Sequence, residues 1–293
     1  MSEQSTTPSP LRVLFVSSRP ISWVNTAYPF GAAYLLTTGG IDLTWVIGTL
    51  YFLIPYNLAM YGINDVFDYE SDLRNPRKGG VEGAVLGRVM HRTTLIAAAV
   101  TNVPFLIYLA VVGNPLSWAV LAVSVFAVMA YSVPGLRFKE RPFLDSTTSS
   151  THFVSPATFA LALAGAVWNT QLLALLGAFF LWGVASHAFG AVQDITADRD
   201  AGIRSIATVL NGRRTVRLSV ILYLLGGVLM LGTSWPGPLA AILVLPYAAS
   251  AAPYWFITDA SAESANAGWK RFLWINFSTG FLVTLLLIWY AAR

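Results

Sequence analysis

Asn64, Asp68 and Asp72 stand at positions i, i+4 and i+8 of the stretch N-L-A-M-Y-G-I-N-D-V-F-D-Y-E-S-D, residues 57–72. A helix through them carries all three on one face, with Asp65 flanking it. Stacked carboxylates repel on an isolated helix, whereas a divalent cation among them makes the pattern favourable. A donor set of oxygens alone, with no Cys or His, points to a hard ion, Mg²⁺ by preference. Mg²⁺ on a few carboxylates completes its shell with water and phosphate oxygens. Arg74, Arg77 and Lys78 follow at once and suit the same anion. The stretch therefore reads as a diphosphate site at the end of an apolar helix. A second group, A-V-Q-D-I-T-A-D-R-D at 191–200, has Asp194 and Asp198 at i, i+4 on the end of another apolar segment, with Asp200 following. Brought together, the two oxygen-rich ends can hold two or more Mg²⁺ ions over one diphosphate. Arg77, Lys78, Arg137 and Lys139 are the candidate cations for neutralising a diphosphate leaving group, and Tyr131 lies near the same face as the latter two. The plainer readings are a solvated helix end for the acids and topological signals for the cations.

These groups need elements to position them. The chain has 293 residues, 56% hydrophobic and 11% charged, with a mean hydropathy of +0.62. A soluble domain carries about 25% charged residues, so the composition predicts an all-α, polytopic membrane protein. The absence of cysteine excludes disulfides, thiolate metal sites and Cys nucleophiles. His91, His152 and His187 show no metal-binding spacing. The net charge of +4 is the basic excess of cytoplasmic loops and not a nucleic-acid surface. Residues 1–10 read as a disordered polar tail with no signal peptide, and 11–293 as one integral-membrane domain. Apolar segments of spanning length recur near 20–39, 43–63, 93–112, 116–134, 150–167, 171–190, 216–232, 236–257 and 271–291, nine in all. Gly113-Asn114-Pro115 and Trp168-Asn169-Thr170-Gln171 mark two of the breaks. With nine spans, every basic residue except Arg293 falls on one side, which places the N-terminus and both acidic clusters in the cytoplasm and the C-terminus outside.

The residues N-D-V-F-D-Y-E-S-D match N-D-x-x-D-x-x-x-D, the first signature of the UbiA superfamily of intramembrane prenyltransferases, and D-I-T-A-D matches its second, D-x-x-x-D, with Gly202 and Ser205 downstream. Tyr131 and Lys139 resemble the Tyr and Lys of the family's third loop. The resemblance covers essentially the whole chain. It implies nine transmembrane helices around a central cavity open to lipid, and Mg²⁺-dependent transfer of an isoprenyl group. A narrower resemblance, to actinobacterial lycopene elongases of the C50-carotenoid branch, rests on S-S-R-P-I-S-W-V-N-T-A-Y-P-F-G, on the first acidic stretch through V-E-G-A-V-L, and on S-S-T-H-F. Arg77-Lys78-Gly79-Gly80 replaces the R-P-L-x-x-G of quinone-pathway members.

What this resemblance implies can be written residue by residue. Asn64, Asp68, Asp72, Asp194 and Asp198 would hold Mg²⁺, with the four aspartates and Tyr131 as the catalytic set; Arg204 would join Arg77, Lys78, Arg137 and Lys139 in neutralising the diphosphate, and the Tyr131 ring would shield the allylic cation. The donor would be dimethylallyl diphosphate and the acceptor lycopene or a related acyclic carotenoid reached from membrane lipid, with other carotenoid enzymes as possible partners. An acceptor of quinone, tetrapyrrole or lipid-glycerol type is the alternative within the family. A cation-coupled transporter is the alternative outside it, and that reading expects single acids near the bilayer midplane.

Overall fold

The computed structural model describes residues 9–73 and 86–293, the side chains of Ser71, Asp72 and Leu273 excepted. Among the described residues the regular structure is helical: α1 (Pro10–Ser17), α2 (Val24–Thr38), α3 (Leu43–Leu53), α4 (Pro55–Phe67), α5 (Tyr69–Asp72), α6 (His91–Val111), α7 (Pro115–Ser132), α8 (Leu144–Leu163), α9 (Thr170–Val192), α10 (Ile195–Asp200), α11 (Ile206–Leu210), α12 (Gly212–Leu231), α13 (Leu245–Ala251) and α14 (Asn266–Ala291). Local chemistry sets many of the boundaries. Ser9, Asp42, Asn114, Asn169, Ser205 and Asn211 each accept a backbone N–H from the first turn of the helix they precede, as N-caps do. Asn114 and Asn169 lie in the two predicted breaks, and Pro115 opens α7.

Each of the nine predicted apolar segments coincides with helix. Among the described residues, seven stretches are long and apolar enough to cross a bilayer: 43–67, 88–111, 115–132, 170–192, 212–231, 237–254 and 259–291. Two fall short of that standard. α2 has only 15 residues, and α8 opens on a polar run from Asp145 to His152. Two segments also differ in form from the sequence expectation. The 43–63 segment is broken at Ile54, where Pro55 cannot donate to the ladder. Much of 237–254 is 3-10 helix, over Gly237–Val244 and Ala252–Tyr254. At the N-terminus, α1 begins at Pro10, and residues 1–8 lie outside the described residues.

The chain divides into two compact units, residues up to 136 with 155–165, and 137–154 with 166–293. In the first, α4 packs against α1, α3, α6 and α7. Its centre is aromatic: Phe30, Tyr51, Phe52, Tyr56 and Phe159 are buried with ring centroids 4.8–6.0 Å apart. Gly48 lets α3 approach α2 so closely that a Cβ there would lie 2.1 Å from the Phe30 ring, the small-residue contact expected between membrane helices. In the second unit α12 packs along α9 and against α13. Phe189, Val192, Val216 and Tyr223 are buried there, and Trp269 stacks on Phe272 at 4.6 Å. Large apolar side chains point outward along α14, among them Trp274, Phe277, Phe281 and Leu285, the surface that lipid covers.

Two acidic helix ends and the groups that hold them

In the first unit, α4 stops at Phe67, Asp68 caps it (φ −99°, ψ −1°) with its N–H still on the Asn64 carbonyl, and α5 resumes at Tyr69. The expected uninterrupted face through Asn64, Asp68 and Asp72 is thus interrupted at its middle acid. Asp68 is 8% exposed. Asn64 presents its Oδ1 to the Ser132 hydroxyl at 2.8 Å, which fixes its amide from the last residue of α7. Tyr131, the residue before Ser132, is half-buried at that same helix end. The Asp72 side chain, Arg77 and Lys78 lie outside the described residues.

Asp65 does different work from its neighbours. Its carboxylate is buried and both oxygens are engaged: Ser17 Oγ donates to Oδ2 at 2.9 Å and Arg19 Nη2 to Oδ1 at 3.1 Å. Arg19 also lies 4.3 Å over the Tyr61 ring. It adopts a positive φ of 49°, a conformation a non-glycine residue keeps only when its surroundings enforce it. Asp65 thereby ties α1 and the following turn to the end of α4. From sequence Arg19 had served only as a topology signal; the signal for more was an Asp adjacent to the metal-spaced acids with no place in their spacing. Asn57 is likewise a structural group. It is fully buried and donates to Thr26 Oγ1 (2.7 Å) and to the carbonyls of Phe52 (2.8 Å) and Leu53 (3.1 Å), closing the α3–α4 break. Tyr69 faces Arg88 at 5.2 Å and His91 at 5.1 Å.

The second unit builds its acidic end in the same way. α9 stops at Val192, Asp194 takes φ −96° and ψ −2°, and α10 resumes at Ile195. Asp68 and Asp194 thus share one backbone geometry, each followed four residues later by a second Asp. Asp198 accepts from Ser205 Oγ at 3.0 Å, and Gly202, between them, has a φ of +71°, which glycine adopts without strain. Asp145 is fully buried at the start of α8. It accepts from the backbone N–H of Ile206 and of Ser146, both at 2.7 Å, and from Ser146 Oγ at 3.3 Å. Ser146 Oγ also lies 3.1 Å from His187 Nδ1. Sequence reasoning missed Asp145. An acid in the first turn of a buried membrane helix is itself the signal, because such groups are costly and carry a role.

The remaining predicted cations are in this unit. Arg137 pairs with Glu140 and has a φ of 41°. The Arg137 hydrogen bond is the main cause holding the Glu140 carboxyl below the usual carboxylate range. Lys139 is half-buried beside them. Arg204 is exposed and lines an open cleft of about 260 Å³ with Arg199 and Thr208. Arg199 is committed to Asp259, at 2.7 Å.

The donors fit magnesium by chemistry: they are carboxylate and amide oxygens with no sulfur or imidazole among them, and Ser132 and Ser205 orient one of them at each end. Among the described residues, no three acidic or imidazole side chains form a metal cluster within themselves. A phosphate-bearing ligand would supply the remaining oxygens.

The family model described as "UbiA prenyltransferase family" matches residues 26–291. The chain is 58% identical over 288 residues to the "C(50) beta-cyclic carotenoids biosynthesis protein LbtBC" of Dietzia sp. (strain CQ4), covering 98% of this chain and 67% of that protein. It is 56% identical over 278 residues to a "Lycopene elongase/hydratase" of Corynebacterium glutamicum, covering 95% and 97%. Among solved structures, a "UbiA homolog from Archaeoglobus fulgidus bound to DMAPP and Mg2+" superposes with a TM-score of 0.65 at 18% identity, covering 93% of this chain and 99% of that one.

Proposed function

The chain belongs to the UbiA prenyltransferase family, and from that premise we propose that it is a lycopene elongase: an Mg²⁺-dependent enzyme that adds C5 units from dimethylallyl diphosphate to the ends of lycopene, giving C45 and C50 carotenoids. It is a multi-pass membrane protein. The observation that carries the proposal is near-full-length identity of 56–58% to proteins named for this chemistry, in a chain that retains both acidic motifs.

Asn64, Asp68 and Asp72 from one helix end, and Asp194 and Asp198 from the other, are the proposed magnesium ligands. Magnesium, when bound, supplies positive charge that holds the diphosphate and stabilises it as it leaves. Arg77, Lys78, Arg137, Lys139 and Arg204 neutralise the same group, and their contribution is greatest in the transition state, where charge builds on the departing oxygen. Tyr131 offers a ring face to the allylic cation, an attraction of about 0.5–2 kcal/mol. The acids lie at helix ends, and that position supports a surface-facing diphosphate site over a midplane ion pathway. The full arrangement is nine membrane crossings with the N-terminus and both acidic ends cytoplasmic and the C-terminus outside. α2 and α8 provide the two crossings that lack the length or apolarity to be recognised alone.

Expression in lycopene-accumulating cells tests the proposal. C45 and C50 pigments are the expected products. Unchanged lycopene beside a prenylated quinone or tetrapyrrole ring would assign the protein to another acceptor.

A further inference from the structure

Asp145 is a fully buried carboxylate that neither acidic motif includes. Burying a carboxylate is costly unless donors meet it, and three do: the Ile206 N–H at 2.7 Å on Oδ2, and the Ser146 N–H at 2.7 Å and Ser146 Oγ at 3.3 Å on Oδ1. The Ser146 contacts are local to α8. The Ile206 contact crosses 61 residues of chain and ends on the turn that follows the second motif. That turn closes on Asp198. The Ile203 N–H donates to the Asp198 carbonyl at 2.8 Å, Gly202 supplies the positive φ between them, and Ser205 Oγ donates to Asp198 Oδ2 at 3.0 Å. The rest of Ser205 is committed to α11. Its N–H donates to Thr208 Oγ1 at 2.8 Å, its carbonyl accepts from that hydroxyl at 2.9 Å, and its Oγ accepts from the Thr208 N–H at 3.4 Å. The Ser205 hydroxyl thus accepts on one side and gives its proton to Asp198 on the other. Ser205 moves with the first turn of α11, and the first N–H of that helix, on Ile206, is the one Asp145 holds. Both Asp145 oxygens face backbone N–H donors, so an Asn in its place must turn its NH₂ toward one of them.

Resting on the proposed reading of Asp198 as a magnesium ligand, we infer that Asp145 is a positioning residue for the magnesium–diphosphate site. From the start of α8 it fixes Ile206, and through Ser205 it sets the direction of the Asp198 carboxylate. In this role Asp145 acts through the turn and not as a ligand. Removing an outer partner of a metal-binding side chain changes metal affinity by about 10–100-fold, and a partner one step further out belongs at the lower end of that range.

Mn²⁺ binding by the full-length protein in lipid nanodiscs, with inorganic pyrophosphate present, tests the assignment without turnover; electron paramagnetic resonance counts the free ion. Asp145→Asn should raise the Mn²⁺ concentration for half-saturation by about tenfold, with helical circular dichroism unchanged. Ser205→Ala should raise it by a similar factor. The double variant should lose no more than either single one, because both changes cut the same path. A folded Asp145→Asn protein that binds Mn²⁺ as the wild type does overturns the assignment. So does a double variant whose loss is the product of the single losses. If Asp145→Asn does not fold, Ser205→Ala decides: the same rise supports the route through the turn, and unchanged Mn²⁺ binding overturns it. Wild-type protein that holds no pyrophosphate-dependent Mn²⁺ removes the ligand reading of Asp198, and the positioning with it.

Discussion

Asp65 and Asp68 are three residues apart in one motif; Asp65 is held in a buried ion pair while Asp68 is a proposed magnesium ligand, and replacing each separately tests the difference. The Asp65 side chain is fully buried, and that of Arg19 is 20% exposed. Asp65→Ala leaves the Arg19 guanidinium without its counter-charge and the buried Ser17 hydroxyl without its acceptor. Breaking a buried pair from one side costs about 3–5 kcal/mol. The residual exposure of Arg19 and its retained contact with Tyr61 place the expected loss at the lower end, about 3 kcal/mol. In a cycle with Arg19→Met the coupling should be about 2 kcal/mol. Unfolding in mixed micelles, followed by helical circular dichroism, measures both. Asp65→Asn should leave the magnesium concentration for half-maximal activity unchanged, while Asp68→Asn should raise it by about tenfold or more. A coupling below about 0.5 kcal/mol, or a folded Asp65→Asn enzyme with a raised magnesium requirement, would refute the division of labour.

Asn57→Leu should destabilise the protein by about 2–4 kcal/mol, read in the same unfolding assay, because Thr26 and the Phe52 and Leu53 carbonyls lose a buried donor. Glu140 is held below the usual carboxylate range by Arg137. Its contribution is therefore full above the unfolded carboxyl pKa of about 4.3 and is lost as the pH falls through the lower folded value. Glu140→Gln should cost about 0.5 kcal/mol at neutral pH, the pair being partly exposed, and nothing once the wild-type carboxyl is protonated; a pH series of unfolding midpoints for the two proteins checks this. Chelation by EDTA should abolish transfer and added Mg²⁺ restore it. Asp194→Asn should defeat that restoration at ordinary magnesium concentrations, as measured by diphosphate release.

The fold was legible where the signal is periodic or carried by a cap. Long apolar runs, Asn114-Pro115 and Asn169-Thr170 placed the helices to within a few residues. The break at Ile54 was harder to read, since the apolar run continues through it and only Pro55 and the buried Asn57 mark it. The acidic motifs were legible in the sequence by their i, i+4 spacing, and Asp68 and Asp194 do fall at helix ends. Their supports were not: Ser17, Arg19, Ser132 and Asp145 act across 46 to 68 residues of chain, a distance over which single-residue types carry no register. The caps at Asp68 and Asp194 were hidden for another reason. A helix that pauses for one residue, as at Asp68, or for two, as at Gln193 and Asp194, leaves the i, i+4 pattern almost intact.

The polar opening of α8 bears on how the protein is made. Eight successive residues, Asp145 to His152, are polar or ionisable. A segment beginning this way gains little by leaving the translocation channel for lipid unaided, since an Asp alone costs about 2.5–3.5 kcal/mol at the helix centre. In the finished structure its hydroxyls are absorbed nearby: Thr147 and Thr151 turn onto carbonyls four residues back, and Ser150 donates to the Phe180 carbonyl of α9 beside the opening left by Gly183. On the proposed nine-crossing arrangement, insertion of α8 would therefore await its successor. Ribosome-bound chains halted before Thr170 should leave it open to protease, and those extended past Val192 should protect it.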